Sequence, residues 1–206
     1  NLAYYFPYLV KDMDEAKKVY GQGGWGYKII QDLWAAHNVN ALAVFPVGMA
    51  GVSLKQKPAD YADPTKPKGL KVRVMPIKPC ELTYEALGYI ATPIPYAEAY
   101  SAIQTGIADG QMGGPPFQAW QFKDVNKVWI QYNDFFESWW FAINMDLWKK
   151  LSKEDQDIVM TAANEESLVR WENVAKEDED YRQKLKAEYG WEIVMLTADQ
   201  LKACAD

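Results

Sequence analysis

Short apolar runs of strand length alternate with segments of helical periodicity along most of the chain. Residues 40–46 form one such run, and residues 70–75 form a second that is rich in β-branched side chains. Residues 96–105 have helical spacing and end at Gly106. This alternation predicts an α/β fold with a largely parallel sheet, in which we expect residues 40–46 to be a buried parallel strand.

The same signals predict the remaining elements. Further helices are expected over residues 12–20, 25–37 and 81–87, and a last one after the capping pair Thr197 and Gln200. Further strands are expected over residues 90–94, 107–109, 127–132, 139–144 and 191–196.

The longest helical pattern runs from Ser152 to Gly190 and begins with a capping signal formed by Ser152 and Asp155. A helix of this length in a compact chain predicts a connection that spans two lobes. Two helices that break near Asn164 also fit the pattern.

The strongest linker signal lies between residues 58 and 69, which hold three prolines and two aspartates. We therefore predict that residues 1–68 are part of a first lobe and that residues 69–136 form the second lobe. Residues 137–190 are expected to supply a crossing strand and the long bridging helix, and residues 191–206 to return to the second lobe.

Charge and composition exclude several classes of partner. The net charge is −6, and no run of basic residues is present, so we expect no nucleic-acid partner. No apolar stretch approaches the roughly 18 residues that a membrane helix needs, so no direct membrane insertion is expected. Aromatic residues make up 14% of the chain, with nine Trp, which favours pockets walled by rings.

Signals for cofactors are weak. Gly21, Gly23 and Gly26 satisfy the spacing of the dinucleotide motif G-x-G-x-x-G, but a helix precedes them instead of a strand, which favours a helix-to-helix turn. His37 is the only histidine, and Cys80 and Cys204 lie too far apart for a metal-binding motif. We expect no cofactor and no metal, while a disulfide between the two cysteines stays open.

Carboxylates offer the one route to catalysis. Glu98, Asp109 and Glu137 each lie beside aromatic or Gly-Pro residues, and an apolar cleft can raise the pKa of a carboxyl group until it serves as a general acid. An α/β hydrolase or lyase that uses such a pair is therefore the alternative function. Solvated helix faces and caps explain most acidic residues equally well.

Arg73 is the most informative residue of the sequence. It lies in a strand of buried composition, and alternation places Val72 and Val74 on one face and Arg73 on the other. A guanidinium group in such a place needs an anion, and its planar fork suits a carboxylate. Three interpretations stay open: a ligand clamp, an internal salt bridge, or an edge strand with Arg73 in solvent.

Several short motifs, in order along nearly the whole chain, resemble the solute-binding proteins of tripartite ATP-independent periplasmic (TRAP) transporters, the DctP family. The motifs lie at residues 6–12, 69–74, 95–100, 104–106, 109–111 and 144–148. The resemblance implies a two-lobe periplasmic-binding-protein-like fold with a long lobe-bridging helix. It also implies a processed periplasmic protein whose signal peptide is removed, and a chain that lacks several dozen residues of the first lobe and a shorter C-terminal piece.

The resemblance implies capture of a small organic acid, a carboxylate or a sulfonate, and delivery to sodium-coupled TRAP membrane permease subunits without catalysis. Arg73 matches the strand arginine that clamps the ligand carboxylate, and Tyr96 matches an aromatic position that packs on the ligand. Gly113 replaces an asparagine of many members, which leaves two alternatives: the Gly113–Gly114 backbone donates N–H groups instead, or the ligand head is shifted.

Two further ligand contacts are expected from the residues near the second lobe crossing. Glu137 is a candidate partner for a hydroxyl or an amine of the ligand, and Trp139 is preferred over Trp140 as the ring that faces the cleft. A purely structural or interaction domain is the third hypothesis, and it predicts no response to any small acid.

Overall fold

The computed structural model describes residues 4–206 and contains two sheets. The strands are β1 (Val39–Met49), β2 (Gly51–Leu54), β3 (Lys71–Val74), β4 (Ile90–Pro93), β5 (Gly110–Gly113), β6 (Val128–Gln131), β7 (Phe136–Asn144) and β8 (Glu192–Met195). The helices are α1 (Met13–Tyr20), α2 (Trp25–Ala35), α3 (Lys78–Ala86), α4 (Tyr96–Gln104), α5 (Pro116–Trp120), α6 (Met145–Trp148), α7 (Lys153–Tyr189) and α8 (Ala198–Ala205).

The larger sheet has six strands in the order β4-β3-β5-β2-β6-β8. Every strand in it is parallel to the others except β2, which runs antiparallel to both β5 and β6. The smaller sheet pairs β1 with β7 antiparallel. The α/β class predicted from the sequence is confirmed.

Two predictions about strands are wrong, and one strand was not predicted. Residues 40–46 belong to β1, which is antiparallel; α2 and α7 pack on it, so it has the continuous apolar character expected of a parallel strand. The strand predicted over residues 107–109 begins at Gly110 instead. Strand β2 was not predicted at all, because its Gly51 and the nearby Gly48 resembled a turn.

Two continuous connections join the sheets. Strand β1 passes into β2 through Ala50, and β6 passes into β7 through residues 132–135. The connections bond to each other: Ala50 N donates to Phe135 O at 2.9 Å, and Asn133 N donates to Ala50 O at 2.9 Å. Strand β2 thus precedes the linker-like residues 58–69 and pairs within the six-stranded sheet, while the division of the chain into lobes stays a prediction.

Helix α7 is unbroken over 37 residues, so the alternative with a break near Asn164 is wrong. Ser152 caps its start by accepting from Asp155 N, and Gly190 ends it in the left-handed conformation. Near one end Ala163 packs with Leu42 and Ala43 of the small sheet. Near the other end Leu185 packs with Trp129 of the large sheet, so one helix braces both sheets.

Two local predictions are confirmed. The G-x-G-x-x-G segment contains a helix-to-helix turn: Gly21 is the C-cap of α1, and Gly24, at a variable position of the pattern, is the N-cap of α2. Thr197 and Gln200 form the predicted capping box at the start of α8. Within residues 4–206, no helix has both the length and the apolar character needed to cross a lipid bilayer.

Candidate functional site

A cavity of about 450 Å³ lies where the two sheets meet. Its lining includes all six residues selected from the sequence: Arg73, Tyr96, Gly113, Gly114, Glu137 and Trp139. The first four belong to the six-stranded sheet and the segments that follow its strands, and the last two belong to β7. The structure therefore brings the six together, and their role in binding stays a prediction.

Arg73 is fixed at the floor of this cavity. It lies on β3 between Thr92 of β4 and Gln111 of β5, while Val72 and Val74 fill the apolar core. Its side chain donates from Nε to the carbonyl oxygen of Ile94 at 2.7 Å. The guanidinium carbon lies 5.5 Å from the centre of the Tyr96 ring, within the range of a cation–π contact.

The guanidinium group of Arg73 is buried without an acidic partner. The residue is only 3% exposed, and no carboxylate of residues 4–206 lies within 4.0 Å of its nitrogens. Burial lowers the pKa of Arg73, against the opposing effect of Tyr96 and Cys80. Both structural alternatives raised from the sequence, an internal salt bridge and a solvated edge position, are wrong.

Glu137 is the acidic group of the cavity. It is 5% exposed, and its two carboxylate oxygens accept from neutral donors. Tyr4 Oη donates to Oε2 at 2.7 Å, and Trp139 Nε1 donates to Oε1 at 3.2 Å. Burial raises the pKa of Glu137, and these two hydrogen bonds act in the opposite direction.

Aromatic rings form the walls. Trp139 is 49% exposed and stacks on Phe45, with ring centres 5.9 Å apart and planes 12° from parallel. Trp140, the next residue of β7, points to the other side and packs against Tyr27 and Trp34. The alternation of the strand thus gives the cavity one large ring and the core the other.

Seven lining residues are not among the six selected from the sequence: Tyr4, Met75, Met112, Phe117, Gln118, Gln121 and Phe135. The glycines that were selected explain why Gln118 reaches the cavity. A β-carbon on Gly114 would lie 2.5 Å from Gln118 Cδ, and one on Gly113 would lie 3.0 Å from Gln111 Nε2. Polar residues directly after the Gly-Pro turn were the available signal.

The structure does not bring the three candidate catalytic carboxylates together. Glu98 lines a separate surface groove with Ser101 and Thr105. Asp109 Oδ2 accepts from Lys71 N at 2.9 Å, where it connects two strands. Glu137 alone reaches the cavity.

The part of the chain that the structure describes gives no support for a metal site or a disulfide. That part contains no cluster of three or more His, Cys, Asp or Glu side chains able to hold a metal ion. Cys80 and Cys204 are free thiols, so the disulfide left open by the sequence is absent.

Comparison with known proteins gives a consistent picture. Residues 2–206 match the family described as bacterial extracellular solute-binding protein, family 7, DctP. The chain is 28% identical over 201 residues to the ectoine-binding periplasmic protein TeaA of Halomonas elongata, covering 89% of this chain and 54% of TeaA. It is 28% identical over 158 residues to the sialic acid-binding periplasmic protein SiaP of Vibrio cholerae, covering 76% and 48%.

Solved structures share the same fold. The periplasmic ectoine-binding protein of the Halomonas elongata TeaABC TRAP transporter superposes with a TM-score of 0.83 at 26% identity, covering 98% of this chain and 66% of that one. A TRAP periplasmic solute-binding protein of Haemophilus influenzae with bound L-gulonate gives 0.82 at 27% identity, with the same coverage of both chains. The chain spans about half the length of the curated relatives that it matches.

Proposed function

The chain belongs to the DctP family of bacterial extracellular solute-binding proteins, family 7, and we propose that it captures a small organic acid in the periplasm and delivers it to a TRAP membrane permease. One observation carries the proposal: a buried guanidinium group, Arg73, faces a cavity and has no carboxylate partner among residues 4–206. The relatives named for ectoine and sialic acid, and the neighbour with bound L-gulonate, support a small carboxylate as the guest.

Arg73 is the proposed anion clamp. A buried cation is costly until an opposite charge meets it, so an acid that enters the cavity removes a penalty that the empty protein carries. Each charge-assisted hydrogen bond from the guanidinium to a carboxylate contributes about 1.5–3 kcal/mol. The Nε–H bond to Ile94 fixes the plane of the fork, which favours guests with a planar acid group.

The surrounding residues are proposed to shape the guest. Tyr96 and Trp139 offer ring faces on two sides, and the absence of β-carbons at Gly113 and Gly114 makes room for the side-chain amides of Gln111 and Gln118 beside them. Because Trp139 and Arg73 come from different sheets, an acid that contacts both stabilises the arrangement in which the sheets approach.

We propose binding without catalysis. The carboxylates considered for an enzyme do not share a site, so a general acid lacks a second carboxylate as its partner. An acid that is incubated with the protein should be recovered unchanged by mass spectrometry.

Thermal stabilisation by acids tests the clamp. The panel consists of ectoine, sialic acid, L-gulonate, L-malate and benzoate, each added to wild type, Arg73→Lys and Arg182→Lys. We expect at least one acid to raise the melting temperature of wild type. Arg73→Lys should abolish most of that rise, because lysine keeps the positive charge but cannot form two parallel hydrogen bonds to a carboxylate.

Arg182→Lys is the matched control. Arg182 bonds to Gln131 and Glu179 outside the cavity, so this variant should respond to the acid as wild type does. If Arg73→Lys keeps the full response, Arg73 is not the clamp. If no acid of the panel stabilises wild type, the proposed function is contradicted.

A further inference from the structure

Two charges of opposite sign face the same cavity without neutralising each other. Arg73 comes from β3 of the large sheet, and Glu137 comes from β7 of the small sheet. No nitrogen of Arg73 lies within 4.0 Å of Glu137, and each is more than nine-tenths buried. The cavity is therefore dipolar, with its positive and negative ends on different sheets.

We propose that the guest is a dipolar acid, whose carboxylate meets Arg73 and whose positively charged nitrogen meets Glu137. This inference rests on the proposed function and narrows its ligand to small acids that also carry an amine, amidine or quaternary ammonium group. Glu137 is then the residue that selects among acids, while Arg73 is common to all of them.

The surroundings of Glu137 leave room for a cation. An ionised carboxylate offers about four lone-pair positions, and the two hydrogen bonds from Tyr4 and Trp139 occupy two of them. Both donors are neutral, and no cationic side chain within residues 4–206 lies within 4.0 Å of Glu137. A buried carboxylate whose partners among residues 4–206 are all neutral is stabilised by a positive group at the remaining positions.

Trp139 adds a second attraction for the same group. Its indole nitrogen bonds to Glu137, so its ring is held beside the carboxylate, and the residue is half exposed on the cavity side. The face of a tryptophan attracts cations, quaternary ammonium groups included. A carboxylate and a ring face together suit a positively charged nitrogen better than a hydroxyl group.

The same arrangement discriminates against competing acids. A dicarboxylate clamped by Arg73 brings its second negative charge toward the Glu137 end of the cavity, and like charges in a desolvated site repel. A plain monocarboxylate leaves Glu137 facing apolar atoms. A guest with its own positive charge avoids both the repulsion of a second carboxylate and the burial of Glu137 without a partner.

Isosteric pairs of acids test the inference, because the members of each pair differ only in a charged nitrogen. The pairs are N-methylnicotinate with 3-methylbenzoate, pipecolate with cyclohexanecarboxylate, and glycine betaine with 3,3-dimethylbutanoate. Binding of each is measured by calorimetry to wild type, Glu137→Gln and Glu98→Gln, and the melting-temperature panel above is repeated with the same variants.

In at least one pair we expect wild type to bind the member with the charged nitrogen about tenfold more tightly, the size of one charge-assisted contact. Glu137→Gln should reduce that preference to less than about threefold, because the charged member loses its partner and the uncharged isostere no longer buries an unpaired carboxylate. Glu98→Gln, whose side chain lies in a separate groove, should keep the wild-type preference.

The outcomes separate this inference from the proposed function. If uncharged isosteres or dicarboxylates bind as tightly as dipolar acids, or if Glu137→Gln leaves the preference intact, the inference is wrong and acid binding through Arg73 stands. If neither the pairs nor the earlier panel bind to wild type, both proposals are contradicted.

Discussion

Asp134 shows how one residue couples folding to pH. It lies in the connection between β6 and β7 and is completely buried. Burial raises the pKa of Asp134 from its usual 3.8 to about 7. The folded protein therefore binds this proton more tightly than the unfolded chain does. The stability that results is fully present below about pH 4 and is lost as the pH rises through 7.

Asp134→Asn is expected to flatten this dependence. Asparagine keeps the shape without the charge, so the variant should be more stable than wild type at pH 8, by a few kcal/mol at most, and should gain little at pH 5. Urea unfolding at several pH values measures the difference. Asp124→Asn, at an exposed position, is the control for the loss of one carboxyl group; equal pH profiles for wild type and Asp134→Asn would disprove the assignment.

Gly48 joins three elements at one point. It lies at a register shift of β1 with a φ of +143°, and a β-carbon there would be 2.6 Å from Cβ of Pro115 and 2.7 Å from Oδ2 of Asp178 on α7. We expect Gly48→Ala to destabilise the protein by about 2–4 kcal/mol, because backbone strain and overpacking add together.

Gly106→Ala separates these two causes. Gly106 also has a positive φ, of +83°, but open space where a β-carbon would lie. In this variant the free energy of unfolding, measured with urea, should fall by only about 1–2 kcal/mol. A loss for Gly48→Ala no larger than that of Gly106→Ala would show that α7 and β1 are not tightly packed at this position.

At the level of elements, the sequence was sufficient to predict those helices and strands whose ends are set by local signals such as caps. Helix α7 has a capping serine and a terminal Gly190, so both of its ends could be predicted, whereas a break near Asn164 fitted the same pattern. Strand direction could not, because β1 is covered by helices and its apolar pattern is the same for either direction. Strand β2 was hidden because glycine suits both a turn and a tightly paired strand.

For the whole molecule, the candidate site was predictable only in its conspicuous residues. Arg73 stood out because a charge in an apolar strand requires an explanation, and Glu137 and Trp139 because they lie near the expected lobe crossing. Tyr4 gave no such signal, although it bonds to Glu137 across 133 positions of sequence. Contacts of that range depend on the way the sheets meet, which one sequence does not specify.

A clamp role for Arg73, as proposed above, would set folding stability against ligand affinity. Replacing an unpaired buried charge by an apolar side chain of similar volume usually strengthens a fold. Arg73→Met should therefore melt at a higher temperature than unliganded wild type, by about 2–4 °C for each kcal/mol gained, and should no longer respond to acids in a calorimetric scan. A lower melting temperature for Arg73→Met would contradict this trade-off. Directed evolution for heat resistance alone is then expected to select variants that no longer bind the proposed acid.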